Sequence, residues 1–147
     1  MMATGATELD MREGETLPTV EKLITQERIQ SYAEASGDYN PVHVDADFAA
    51  SSQFGRTIAH GMLVAASISE MMTMAFDDEW RSAGRLKLRF RAPVYPGDTI
   101  TASGEIKRIV DRDGTRQVSS SVVVRKQTGE EAITGEAIVT LPLASSG

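Results

Sequence analysis

Cysteine is missing from this sequence of 147 residues. Its absence excludes disulfide bonds, thiolate metal ligands and a cysteine nucleophile, and it fits a reducing compartment, so we expect the cytoplasm. Histidine is scarce too: His43 and His60 stand 17 positions apart, without a compact set of carboxylates, and this pattern predicts no metal site. Because no glycine-rich nucleotide fingerprint or P-loop occurs either, we expect no cofactor.

The sequence also lacks an excess of basic residues. Its 15 Lys and Arg are outnumbered by 21 Asp and Glu, which gives a formal net charge of −6 at pH 7. Nucleic-acid binding depends largely on phosphate neutralisation by Lys and Arg, so we expect no nucleic-acid partner. The longest apolar stretch, residues 58–76, contains His60, Ser67, Ser69 and Glu70 and would be costly to bury in lipid, so no membrane span is predicted.

The length and the order of the sequence patterns predict one domain of the α+β class. Residues 1–15 mix Thr, Gly, Glu and Asp without the apolar stretch of a secretory signal, and we expect a flexible N-terminal tail there. Helical patterns fill most of the first half, whereas the second half is rich in Val, Ile and Thr. Turns containing Gly97, Gly114 and Gly129 separate the later strands, so the simplest topology is a mostly antiparallel sheet of consecutive strands.

Local patterns place the individual elements. A first strand is predicted at residues 17–24 and a helix at Gln26–Ser36, with Thr25 as its N-cap and Gly37 just past its end. Asp45 is predicted to cap a short helix at residues 46–51. Residues 58–76 have almost no polar stripe, as expected for a helix surrounded by protein. The four later strands are predicted at Arg85–Phe90, 98–110, 115–125 and 131–141. These elements predict a curled sheet wrapped around a long central helix.

The segment best suited to chemistry follows the first helix. Asp38 and His43 are separated by Asn40-Pro41, a turn signal, because the proline ring pushes Asn40 out of the α region. Such a bend can bring the carboxylate and the imidazole to one water molecule. A carboxylate accepts protons and an imidazole titrates near neutrality, so the pair is suited to position and deprotonate that water.

Gly61 stands at the predicted start of the buried helix. The first N–H groups of a helix have no partner within it. Without a Cβ, Gly61 allows a ligand carbonyl to approach its N–H closely, and the helix dipole favours negative charge developing on that oxygen. This position is therefore suited to the chemistry of an oxyanion hole.

The run Asp38-Tyr39-Asn40-Pro41-Val42-His43, followed by Ile58-Ala59-His60-Gly61, resembles the R-specific enoyl-CoA hydratases of the MaoC-like group, also called hydratase 2. The similarity extends over residues 16–143. The resemblance implies a single hotdog domain over that range and a homodimer. It also implies an enzyme that adds water reversibly to a trans-2-enoyl thioester to give a (3R)-3-hydroxyacyl thioester. The substrate would be an acyl-CoA or an acyl-carrier-protein thioester, with coenzyme A present only as part of the substrate.

The same resemblance implies roles for individual residues. Asp38 and His43 would hold the attacking water, and Asn40 would orient them. The amide of Gly61 would bind the thioester oxygen. The helix residues that would line the acyl tunnel are Ser69 and, near Gly61, Met62.

Two other functions stay open at this point. Some hotdog thioesterases keep their general base on the central helix, where this chain has Glu70, although a solvated or salt-bridged glutamate explains that position equally well. A module that binds acyl thioesters without turnover is the third possibility. His60 is better explained as a helix-start or hydrogen-bonded core histidine than as a catalyst.

A row of basic residues suggests what the substrate carries. Arg85, Lys87, Arg89 and Arg91 alternate with apolar residues, so a strand would place them on one face. That face suits the phosphates of coenzyme A or an acidic carrier protein, and a basic solvent-facing edge strand is an equal alternative. The exposed sheet edges of so small a fold also favour pairing of two subunits.

Overall fold

The computed structural model describes residues 11–143, and ten helices and strands follow one another in this range. In chain order they are β1 (Val20–Leu23), α1 (Gln26–Ser36), α2 (Pro41–Val44), α3 (Ala46–Ala50), α4 (Gly61–Phe76), α5 (Asp78–Ala83), β2 (Arg85–Phe90), β3 (Thr99–Arg112), β4 (Thr115–Lys126) and β5 (Glu131–Pro142). The α+β prediction is confirmed. The short helices α2 and α5 were not predicted.

The first helix begins and ends where the sequence places it. Thr25 Oγ1 accepts a hydrogen bond from the backbone N–H of Arg28 at 3.1 Å. Gly37 adopts the left-handed conformation with φ 79°, and its N–H donates to the carbonyl of Ala33. A positive φ costs glycine little, so Gly37 ends α1 and turns the chain toward Asp38.

The five strands form one antiparallel sheet in the order β1-β3-β4-β5-β2. The predicted consecutive order holds for β3, β4 and β5, which tight turns connect. It is wrong for β2, which pairs with β5 and not with β3, while β1 pairs with β3 at the opposite edge of the sheet. The helices between β1 and β2 form a long connection, so these two strands are not constrained to be neighbours.

The helix α4 packs against one face of this sheet and forms the core with it. Its buried side chains include Val64, Ile68 and Met72. Alternate residues of β4 face the helix, since Val118, Val122 and Val124 are buried. Apolar burial of this kind stabilises a fold by about 25 cal/mol per Å² of surface removed from water.

One side of α4 stays open to solvent. Met62, Ala66, Glu70 and Met74 lie four residues apart and are all exposed, with Met62 at 62% and Met74 at 47% exposure. A spacing of four keeps residues on one helix face. The expectation of a helix surrounded by protein on all sides is therefore wrong for the single chain, because its sheet is not closed around α4.

The N-terminal tail predicted for residues 1–15 lies mostly outside the described residues. Within its described part, the N–H of Gly14 donates to the carbonyl of Ile106 at 2.7 Å, and the carbonyl of Glu15 accepts from the N–H of Ile106 at 2.8 Å. The domain boundary at residue 16 stays a prediction. Within residues 11–143, no helix is both long enough and apolar enough to cross a bilayer.

Candidate active site

Asp38 lies in the exposed turn after α1, where three hydrogen bonds hold it. Its backbone N–H donates to Ser36 Oγ at 3.2 Å, and its carbonyl oxygen is 2.9 Å from Nε2 of His60. Its carboxylate oxygen Oδ1 accepts from the backbone N–H of Asn40 at 3.2 Å. Hydrogen bonds to main-chain atoms thus fix this carboxylate on a turn that packing alone would leave mobile.

The short helix α2 positions His43. Asn40 Oδ1 caps this helix by accepting from the N–H of Val42 at 3.1 Å, and Pro41 suits the first helical position. The ring nitrogen Nδ1 of His43 lies 2.8 Å from the carbonyl oxygen of Ile58. A carbonyl can only accept, so Nδ1 carries a proton and donates it to Ile58, and Nε2 is the remaining ring nitrogen.

The structure brings Asp38 and His43 together, as the sequence predicts. A carboxylate oxygen of Asp38 and one ring nitrogen each of His43 and His60 lie within 4.8 Å of one another. A water that bonds two groups at about 2.8 Å with a tetrahedral angle separates them by about 4.6 Å. One water can therefore bridge the carboxylate and the imidazole. Their assignment as the catalytic pair stays a proposal.

The same three residues are close enough together to be a candidate metal site. The two imidazole rings, however, are stacked on each other and do not point toward a common ion. The rings of His43 and His60 stack with centroids 3.9 Å apart and planes at 27°. An imidazole binds zinc in its ring plane at about 2.0–2.1 Å, whereas the lone pairs of stacked rings run side by side. Two such rings are poorly placed to share one ion. The expected absence of a metal stays a prediction.

Gly61 is the first residue of α4 and borders a pocket of about 320 Å³. A Cβ built on Gly61 would lie 2.9 Å from Cε1 of Phe90, so any side chain there would displace that ring. The pocket walls are mainly apolar and include Phe54, Ile58, Val64, Phe90, Val94 and Ile133. An amide at a helix start beside an apolar pocket fits a carbonyl compound with an apolar chain.

The residues predicted along α4 occupy different surroundings. Met62 is largely exposed beside Gly61. Ser69, about 12 Å further along the helix, accepts a hydrogen bond from the indole N–H of Trp80 at 3.0 Å and does not line the pocket beside Gly61. Glu70 forms an ion pair with Lys22, with 2.6 Å between Nζ and Oε1. The tunnel-lining role of Ser69 and Met62 stays a proposal.

The segment behind the pocket is held by a buried ion pair. Lys126 Nζ lies 3.0 Å from Asp98 Oδ2 and donates to the carbonyl of Pro93 at 3.0 Å. Burial raises the pKa of the Asp98 carboxyl, but hydrogen bonds from Tyr95 N–H, Gln127 and Lys126 outweigh burial, so the pKa lies below its ordinary value. The carbonyl of Val94 accepts a hydrogen bond from the N–H of Ala59 at 2.8 Å. The ion pair between Asp98 and Lys126 therefore also supports the segment that leads into Gly61.

The four basic residues of the β2 region are all exposed, and none of them forms an ion pair within residues 11–143. Arg85, Lys87 and Arg89 stand opposite Ile138, Glu136 and Thr134 of β5, on the face away from α4. Arg91 follows the strand and borders the pocket beside Gly61. The predicted common face is thus confirmed for the three residues within β2.

Several contacts of the site were not identified from the sequence. The carbonyl of Ile58 fixes the ring of His43, and Gln26 Nε2 donates to the carbonyl of His43 at 2.9 Å. Phe90 forms a wall of the pocket. A backbone acceptor and long-range packing carry no sequence signal of their own, so only the fold reveals these three contributions.

Comparisons with known proteins identify relatives of this chain. A family model described as MaoC like domain matches residues 9–128. The (R)-specific enoyl-CoA hydratase of Aeromonas caviae is 34% identical over 114 residues, which cover 78% of this chain and 84% of that protein. The (R)-specific enoyl-CoA hydratase of Rhodospirillum rubrum is 33% identical over 133 residues, which cover 90% of each.

The fold has counterparts among solved structures. An R-hydratase from Pseudomonas aeruginosa, solved in the unliganded form, superimposes with a TM-score of 0.77 at 30% identity. The match covers 92% of this chain and 85% of that chain. This likeness confirms the hotdog fold. With a family model over most of its length and relatives above 30% identity, the chain belongs to the family of MaoC-like domains.

Proposed function

We propose that this protein is an R-specific hydro-lyase that adds water reversibly to a trans-2-enoyl thioester and yields a (3R)-3-hydroxyacyl thioester. The observation that carries the proposal is the separation of at most 4.8 Å between the Asp38 carboxylate and a ring nitrogen of His43. The Gly61 amide beside an apolar pocket adds the second requirement, a donor for a carbonyl oxygen. Membership of the family supports it, since the two relatives compared above are named (R)-specific enoyl-CoA hydratases.

The mechanism follows from these positions. A thioester oxygen at the Gly61 N–H withdraws electrons from the conjugated double bond, so C3 becomes electrophilic. Water held between Asp38 and His43 loses a proton to the pair and attacks C3, while enolate character builds on the thioester oxygen. The pair then returns a proton to C2. Because coupled groups titrate together, we assign these proton transfers to the pair as a unit.

The thioesterase alternative rests on Glu70, and the surroundings of that residue do not favour it. Glu70 lies about 13.5 Å and half a turn round α4 from Gly61. Its carboxylate is paired with Lys22 and half-exposed. A general base for thioester hydrolysis has to reach a water beside the same carbonyl carbon that the amide polarises. Glu70 is therefore best explained as an ion-pair partner that links α4 to β1.

We propose a homodimer in which the partner subunit covers the open side of the site. Asp38 is exposed, and three large apolar side chains near it or near Gly61 are exposed as well: Tyr39 at 57%, Met62 at 62% and Phe90 at 53%. An exposed apolar patch in a soluble domain commonly marks an interface. Burial of this patch would also exclude water from the reacting carbons and strengthen the hydrogen bond from Gly61.

We further propose that the substrate is a thioester of coenzyme A or of acyl-carrier protein, that no cofactor is needed and that the protein is cytoplasmic. Arg85, Lys87 and Arg89 form no ion pair within residues 11–143 and lie on the edge strand β2, and Arg91 just after this strand borders the pocket. These cations suit a phosphate-bearing carrier. Water is the only co-reactant of the hydration, so the chemistry needs no redox or metal group.

A spectrophotometric assay separates the candidate functions. Crotonyl-CoA and a longer trans-2-enoyl-CoA are supplied together with a thiol reagent. A hydratase lowers the absorbance of the conjugated thioester without releasing thiol, and the Glu70→Gln variant keeps this activity. Thiol release that depends on Glu70 would establish a thioesterase. A binding module would bind acyl-CoA without loss of absorbance and without thiol release. The same result would have to hold when the acyl-carrier-protein thioester is supplied.

A further inference from the structure

His60 is the buried histidine beside the proposed pair, and it contacts every part of the site. Only 2% of its surface is exposed. Its Nε2 lies 2.9 Å from the carbonyl oxygen of Asp38, its ring stacks on that of His43, and its own carbonyl accepts from the N–H groups of Leu63 and Val64 in the first turn of α4. The next residue is Gly61. One side chain and its peptide therefore connect the main chain of Asp38, the imidazole of His43 and the amide of Gly61.

The hydrogen-bond pattern fixes the ring form of His60. The carbonyl of Asp38 can only accept, so Nε2 carries the proton. Within the described residues, Nδ1 of His60 is buried without a hydrogen-bond partner. His43 has the opposite arrangement, since its Nδ1 faces the carbonyl of Ile58. The two stacked imidazoles thus carry their protons on different nitrogens.

We propose that His60 is a positioning residue for the hydration, which rests on the proposed function above. Its Nε2–H holds the main chain of Asp38, and its ring holds the ring of His43 so that Nε2 of His43 faces the water. It exchanges no proton with the substrate. A misplacement of about 1 Å at reacting groups can lower a rate by about 100-fold, so a residue with this task has a large effect on kcat.

Two variants separate the two contacts. His60→Phe keeps a ring against His43 and removes the hydrogen bond to Asp38. His60→Gln keeps an N–H donor of similar reach and removes the ring. We expect each to lower kcat by about 10- to 100-fold while KM changes by less than about threefold, because positioning affects the transition state more than substrate binding. Ile68→Val, a substitution in the buried face of α4 away from the pair, is the matched control and should keep the wild-type kcat.

Ring nitrogen NMR tests the same inference without turnover. The chain has two histidines, so a long-range ¹H–¹⁵N spectrum contains two imidazole patterns. We expect the Nδ1–H form for His43 and the Nε2–H form for His60 in the wild type, and a loss of the single Nδ1–H form of His43 in His60→Gln. A merely structural histidine would leave the pattern of His43 unchanged.

The outcomes are distinct. Nδ1–H for His60 in the wild type, or unchanged kcat in both folded variants, overturns the positioning role. If a variant fails to fold, the wild-type spectrum still tests the proposal, because it shows which ring nitrogen of His60 carries the proton. If the wild-type protein shows both expected ring forms but no hydration of any enoyl thioester, the proposed function fails, while the arrangement of the two histidines stands.

Discussion

Two turns of this protein contain the same residue types, but their aspartates have different partners. Gly37-Asp38-Tyr39-Asn40-Pro41 and Tyr95-Pro96-Gly97-Asp98 each contain glycine, aspartate, tyrosine and proline. The carboxylate of Asp98 is buried and paired with Lys126. The carboxylate of Asp38 is exposed, forms no ion pair within residues 11–143, and faces His43 instead.

The difference lies in what neutralises each charge. Lys126 and two hydrogen-bond donors commit Asp98 to the negative form, and this fixes the wall of the pocket. Asp38 is held through its main chain and by one N–H, so its carboxylate keeps lone pairs that can accept hydrogen bonds from water. Composition alone predicts a turn in both cases, whereas the partner of each carboxylate is known only from the folded chain.

The largest expected effect is at the exposed turn. We expect Asp38→Asn and His43→Gln each to lower kcat by about 10² to 10⁴, the usual contribution of a general acid or base, with little change in the unfolding midpoint. Hydration of crotonyl-CoA and thermal unfolding measure the two quantities. Asp45→Asn is the matched control, because asparagine also caps a helix well and Asp45 caps α3. Near-wild-type turnover in either site variant would refute the proposed pair.

The buried turn should respond in stability. We expect Lys126→Met to lower the free energy of unfolding by about 3 kcal/mol, since it leaves Asp98 as an unpaired buried charge. Urea unfolding measures the loss. The double variant Lys126→Met/Asp98→Asn should be more stable than Lys126→Met alone. If it were less stable, the ion pair would not explain the effect.

Asn40 lies in the exposed turn and caps α2, the helix that carries His43. Asn40→Ala should destabilise the protein by about 1 kcal/mol, as loss of an N-cap does. It should also lower kcat, because α2 carries His43. Asn40→Ser, which keeps a capping oxygen, should restore most of both losses. Activity that stays low in Asn40→Ser despite restored stability would indicate that the Asn40 amide acts directly on the substrate.

The pH dependence of stability distinguishes the two aspartates. The folded-state pKa of Asp98 lies below its ordinary value of 3.8. Its contribution to stability is therefore fully present above that value and is lost as the pH falls through the folded-state pKa. The stability difference between the wild type and Asp98→Asn should be constant near neutral pH and shrink below pH 3.8. A difference that grows on acidification would contradict this direction.

Local patterns predicted much of this fold. The caps Thr25 and Gly37, the bounds of β2 and the place of Gly61 at the start of α4 all follow from a few neighbouring residues. The edge positions of β1 and β2 did not follow, since strand order across long connections depends on packing. The open side of α4 was also missed, because an apolar helix has the same pattern whether its own sheet or a second subunit covers it.

The sequence predicted that Asp38 and His43 lie close together, and it did not predict the contacts that support them. The roles of this pair and of Gly61 as donor stay predictions. The bond from His60 to Asp38 spans 22 positions, and that from Lys126 to Asp98 spans 28 positions. No short-range pattern encodes such pairs, so their contribution emerged only from the folded chain.

The most direct test follows the oxygen and the configuration of the product. Crotonyl-CoA is incubated with the protein in H₂¹⁸O. The enantiomers of the 3-hydroxybutyryl-CoA that forms are separated on a chiral column, and their ¹⁸O content is measured by mass spectrometry. We expect one ¹⁸O atom at C3 and the (3R) enantiomer, formed about 10² to 10⁴ times more slowly by Asp38→Asn. The (3S) enantiomer would contradict the proposed function, and so would free coenzyme A formed together with crotonate that carries ¹⁸O in its carboxylate.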